Sequence, residues 1–197
     1  MHKTFISYHH KNEQTQKEDI IKEFGAENFI DKSVADGDID PDTDESKIMN
    51  IIRTEYLQDS TVTLVLVGWE THSRPFVNSE LQASLRDTEN NKHNALIAVV
   101  IDDLYGKIYS ENKCSCGCEA RIKTNYYDSY MPDLVKKNNQ LVTNSCHYND
   151  DEVYCAIIKY SLFITDPEKF INEAFDKRDN ASIKIYKKLE SSTPRVS

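Results

Sequence analysis

Short unbroken apolar runs alternate along this chain with longer stretches in which apolar residues recur at the helical spacing. Residues 61–67, Thr-Val-Thr-Leu-Val-Leu-Val, and residues 94–101, Asn-Ala-Leu-Ile-Ala-Val-Val-Ile, read as strands buried on both faces. Residues 3–8 read as a first strand with Phe5 and Ile6 in the core, and residues 28–31 as a short second one. Between them, Ile20, Ile21 and Phe24 share one face of a helix over 19–24, with Gly25 as its stop. Ile48, Ile51, Ile52 and Leu57 give the same period over 46–57, after a breaker-rich acidic loop over 33–46. Pro75 opens a further helix that runs to about residue 87, since a missing N–H costs nothing at that position. Strand and helix alternate through four strands. That order predicts right-handed crossovers and a three-layer α/β fold, a parallel sheet with helices on both faces.

Beyond residue 103 the regularity fades. Residues 104–150, rich in Tyr, Asn, Lys and Cys, are predicted to form a long insertion after the fourth strand, with local structure of its own. Val153, Ile157 and Tyr160 fall on one helical face, so 153–163 is predicted as helix; Asp166-Pro167 starts another, and the tail from about Asn180 is also predicted helical. The 197 residues make one domain, with a C-terminal helical region over 151–197. A chain of that length buries roughly 70% of its unfolded surface and needs no staples.

Acids outnumber Lys and Arg by 33 to 24, for a net charge of −9. This argues against a nucleic-acid groove or an anionic membrane surface as partner, while leaving room for a small anion held locally. No apolar run approaches the ~20 residues a bilayer span requires. The first eight residues read as a strand and not a secretory leader, which predicts a cytoplasmic protein. Five cysteines, an odd number, suit reduced thiols. Cys114, Cys116, Cys118 and Cys146, with His147, have the ligand types for a structural zinc but not the usual knuckle spacing; free thiols in a loop are the competing reading. The acidic run over 36–44 lacks the glycine and glutamate positions of a calcium loop, so a solvated loop is expected.

The loop after the strand over 61–67 lies at a carboxyl strand end, where open α/β sheets bind ligands. The helix beyond it carries one acid in its early turns, Glu80. A lone carboxylate beside such a cleft can stabilise positive charge on a substrate, or it can simply complement the helix dipole. Ser7, Tyr8, His9 and His10 end the first strand on the same sheet edge.

Phe5-Ile6-Ser7-Tyr8-His9 resembles the opening of TIR domains. With residues 60–68 and the passage Thr71-His-Ser-Arg74-Pro75-Phe76-Val77-Asn78-Ser79-Glu80, the chain more narrowly resembles the TIR-like family of the bacterial Thoeris antiphage system, the ThsB-type proteins. The resemblance covers roughly residues 3–101. Phe76 stands where many TIR enzymes carry Trp, four residues before the retained Glu80.

The resemblance implies a flavodoxin-like, TIR-like fold and cleavage of NAD at the nicotinamide–ribose bond, producing an ADP-ribose-derived signal that reaches a downstream effector. NAD is then a substrate and no cofactor is required; self-association is the other expected partnership. Glu80 is the expected catalytic carboxylate, and its task calls for an ionised group with partial solvent contact or N–H donors. Ser7 could contact a ribose or the nicotinamide amide, Tyr8 could stack on a ring, and His9 could touch a phosphate. Asp31 could take a ribose hydroxyl, Trp69 could stack on a base, and Arg74 could pair a phosphate. Each also has a plainer reading as a cap, packing or surface residue. The alternative for the whole chain is a non-catalytic TIR-like interaction module. The missing Gly-x-Gly-x-x-Gly argues against a Rossmann-type dehydrogenase, and Ser7, Tyr8 and Gly68, where acids would be needed, argue against a receiver-like phosphoacceptor.

Overall fold

The computed structural model describes residues 2–30, 34, 38–40, 43–57, 59–89, 91–111, 121–140 and 150–188. Five strands, β1 (Thr4–Ser7), β2 (Phe29–Ile30), β3 (Val62–Val67), β4 (Ala95–Val100) and β5 (Cys155–Lys159), form one sheet in the order β2-β1-β3-β4-β5. Every neighbouring pair is parallel. The chain order reverses between β1 and β3, so their carboxyl ends form the switch point at which such sheets open a crevice. In register, Ser7 lies beside Val65, and β3 runs on to Val67.

Burial follows the pleat. Val65, Val67, Ala98, Val100 and Ile157 point to one face, where α3 (Pro75–Ser84), α4 (Asp102–Ile108), α5 (Asn125–Tyr130) and α6 (Asp133–Asn138) cover them. Ile6, Leu64, Leu66, Ile97, Val99 and Ile158 point to the other, under α1 (Gln14–Phe24), α7 (Tyr160–Phe163) and α8 (Pro167–Asp176). A third cluster joins Phe5 and Val34 to α2 (Glu45–Ile51) and to Ala83 of α3. Every residue of β3 and β4 is buried, as their unbroken apolar sequence requires. This is the three-layer α/β, flavodoxin-like arrangement that the alternation of elements predicts.

Several local expectations change. Residues 155–159 form strand β5, and only Tyr160–Phe163 turn helical. The run Val153-Tyr-Cys-Ala-Ile-Ile158 is apolar at every position and buried throughout, so it fills the doubly covered edge of the sheet, and the helical spacing of three of its residues is incidental. Helix α1 begins at Gln14, five residues earlier than its apolar period shows. Past Ile51 the chain continues as a π-helical segment over Ile52–Leu57. From Asn180 to Lys188 the chain turns without helix. Helices α4, α5 and α6 occupy the β4-to-β5 connection and contribute Leu104, Ile108, Tyr127, Leu134 and Val135 to the core, with Met131 from the turn between α5 and α6. Among the described residues, no helix is long and apolar enough to cross a membrane.

Candidate active site

Helix α3 starts at the carboxyl edge of β3, with Pro75 in its first turn. Val77 and Leu81 face the cluster under β3 and β4, while Phe76 and Ala83 pack toward Phe5 and Val34. Glu80 is one turn from both Phe76 and Ala83, so the helix carries its carboxyl to the end of β1. There the Ser7 hydroxyl donates to Glu80 Oε2 at 2.5 Å, and the Val34 N–H donates to Oε1 at 2.8 Å. Both oxygens are satisfied.

Glu80 is only 1% exposed. Burial pushes its pKa up to about 8, against the opposing effect of the two donors. The expectation of an ionised, partly solvated carboxylate is therefore half met. The N–H donor is present, but the site is deeply enclosed, because Val34 closes over a carboxyl already backed by the Phe5 cluster. At neutral pH burial favours the protonated carboxyl, while the Ser7 and Val34 donors favour the ionised one.

The sequence-predicted residues divide into separate groups. Ser7 and Glu80 are brought together. Tyr8 is on the opposite face of β1, in the cluster with Ile20 and Phe29; its hydroxyl donates to Gln14 Oε1 at 2.7 Å and its ring stacks on His10. His9 Nδ1 stands 4.0 Å from Glu70 Oε2, and Glu70 is ion-paired to Arg74. Trp69, 36% exposed, meets the edge of Tyr130 from α5 with ring centroids 5.0 Å apart, and His72 meets the same tyrosine at 5.4 Å. Asp31, Cys114, Cys116, Cys118, Cys146 and His147 lie outside the described residues.

The structure adds a second carboxylate to this edge. Glu13 precedes α1, is 2% exposed, and sits directly above Gly68 at the end of β3. A β-carbon on Gly68 would come within 1.9 Å of Glu13 Oε1. The Gly68 N–H donates to Thr71 Oγ1 at 2.8 Å, and that hydroxyl donates onward to Glu13 Oε2 at 3.4 Å. Burial pushes the Glu13 pKa to about 7. An acid at a helix start normally signals nothing beyond the dipole; the available clue was a glycine directly after a doubly buried strand, which marks a close approach.

Chemically, the carboxyl edge of β1 and β3 offers two buried carboxyls, a serine hydroxyl poised on one of them, and an aromatic group at the rim. The family model for the Thoeris protein ThsB TIR-like domain matches residues 5–105, just over half the chain and the part that carries Ser7, Glu13 and Glu80. The chain belongs to that family. Its ThsB-type TIR-like domain ties the protein to Thoeris antiphage defence, and the parallel sheet with its β1/β3 switch point is the corresponding fold. A CXCXC repeat model matches residues 106–118, the stretch that ends in Cys114, Cys116 and Cys118. No curated protein matches the chain at a significant level.

Proposed function

We propose that this ThsB-type TIR-like domain cleaves NAD between nicotinamide and ribose, with Glu80 as the catalytic carboxylate, and so makes an ADP-ribose-derived signal for a downstream effector. The carrying observation is the Ser7–Glu80 pair, held at 2.5 Å at the switch point of the sheet. In this reaction the C1′–N bond breaks with its electron pair going to the pyridinium nitrogen, so nicotinamide leaves neutral and needs no acid. The ribose is left as an oxocarbenium-like centre, which one ionised carboxylate can stabilise. Water or a hydroxyl then attacks that centre and releases a proton.

A protonated Glu80 is compatible with this chemistry because the substrate carries the missing charge. A pyridinium brought against the carboxyl favours its ionised form and lowers its pKa, so the proton leaves as NAD enters. Ser7 then keeps the carboxylate aimed and hydrogen-bonds one oxygen, leaving the other for the ribose. The ribose must take Oε1 from the Val34 N–H that now occupies it.

Deep burial of a fully hydrogen-bonded Glu80 favours a second reading, a latch that fixes α3 to β1 in a non-catalytic, self-associating module. One experiment separates the two. Purified wild type and Glu80→Gln are incubated with NAD and nicotinamide release is followed. The catalytic reading predicts a loss of at least about a hundredfold, the scale of removing one electrostatic group. A latch predicts no turnover in either protein, with a thermal midpoint changed by the substitution.

A further inference from the structure

A hollow of about 610 Å³ lies between α2 and the chain leaving α3. Its lining includes Ser46, Lys47, Arg53, Arg86, Asp87 and Thr88. Arg53 also bonds to the loop before β4, at the amino edge of the sheet, whereas Glu80 meets Ser7 at the carboxyl end of β1. We propose that this hollow binds a phosphorylated small molecule of nucleoside diphosphate size, held by Lys47, Arg53 and Arg86. The inference does not depend on the catalytic reading.

The hollow concentrates unmatched positive charge. In a chain with nine more acids than bases, three cations converge on one concavity. Arg53 is 4% exposed, yet among the described residues its guanidinium bonds to neutral oxygens alone: Asn94 Oδ1 at 3.1 Å and the Lys92 carbonyl at 2.5 Å. Its Nε has no hydrogen-bond partner. A buried guanidinium normally has a carboxylate to offset its desolvation. Here the neighbouring acid, Asp87, is engaged elsewhere, with the Lys187 ammonium on one oxygen and His93 Nδ1 at 2.7 Å on the other. Among the described residues, neither Lys47 nor Arg86 has an ion-pair partner. Arg53 also stands in the π-helical segment, a backbone form often found at functional sites.

The remaining lining suits the same ligand. Ser46 and Thr88 carry hydroxyls, and Asn50 an amide, around a volume in the range of small-molecule sites. That volume exceeds what a single inorganic phosphate fills. A diphosphate, with about three negative charges at neutral pH, matches three cations in charge, and the exposed Arg86 guanidinium can bind it in a fork.

Calorimetric titration of the full chain with ADP tests the proposal, with inorganic phosphate and adenosine as comparison probes. ADP is expected to bind, adenosine to give no heat of binding, and inorganic phosphate to bind at least tenfold more weakly than ADP. The paired substitution Lys47→Gln with Arg86→Gln, on two exposed side chains that support no internal bond, is expected to weaken ADP at least tenfold while the thermal midpoint without ligand stays unchanged. Raising the salt should weaken ADP in wild type. No ADP binding up to several millimolar, equal binding of adenosine, or undiminished ADP affinity in the paired variant would each overturn the proposal.

Discussion

Ser7 and Glu80 are 73 positions apart in the chain, and a single 2.5 Å hydrogen bond joins them. Replacing Ser7 with Ala leaves one oxygen of a buried carboxyl without a partner, at a cost of about 1–3 kcal/mol. It also removes a donor that favours the ionised form, so the Glu80 pKa rises further. The expected outcome for Ser7→Ala is a lower thermal midpoint together with slower nicotinamide release. At Gly68 the constraint is steric. A methyl group there displaces the Glu13 carboxyl from its place against Thr71, and the resulting overpacking predicts a loss of about 1–3 kcal/mol for Gly68→Ala in denaturant unfolding. Glu80 and Ser7 were legible in the sequence because both stand beside strand ends that their apolar runs define. The enclosure of Glu80 was not, since Val34 comes from a stretch without periodicity. Glu13 was invisible for a different reason. Its role exists only once the end of β3 is folded against the start of α1.

Among elements, β5 shows how an unbroken apolar run can mislead. Ile157 belongs to a helical series on paper, but in the fold it pairs with Ala98 of β4 and is fully buried. Ile157→Ala removes all of the side chain beyond Cβ from a covered sheet and is expected to cost about 2–5 kcal/mol in denaturant unfolding. The strands β3 and β4, by contrast, were fully readable: six residues each, all apolar or β-branched, all buried. The π-helical segment after α2 was not readable, because an apolar series at helical spacing does not reveal where the spacing widens.

For the whole molecule, two carboxyls with raised pKa values give stability a definite pH dependence. Between their ordinary value near 4.5 and the folded values of about 7 and about 8, folded Glu13 and Glu80 keep protons that the unfolded chain releases. Stability is therefore greatest below that window and falls as pH rises from about 5 to 8. His2, partly buried against Phe175, has its imidazole lowered chiefly by burial and so opposes this decline at its own lower pH. Asp87 and Asp102 are held below their usual range and act only at more acidic pH. Thermal midpoints measured from pH 5 to 8 should decline in wild type, and Glu80→Gln should flatten the decline by several degrees, given about 2–4 °C per kcal/mol at this size. The assembly of the sheet was legible from the alternation of elements alone, and with it the edge where Ser7 and Glu80 meet. Convergence of Lys47, Arg53 and Arg86 on one hollow was not, because it depends on how α2 packs beside the end of α3.

The proposed catalysis requires Glu80 to lose its proton before nicotinamide leaves. The most direct test is nicotinamide release at low NAD concentration by wild type and Glu80→Gln from pH 6 to 9. The prediction is a wild-type rate that climbs with pH and reaches half its plateau near pH 8, above a variant that stays at least about a hundredfold lower at the plateau. A wild-type rate indifferent to pH, or a variant that follows the same rising curve at the same height, would contradict it.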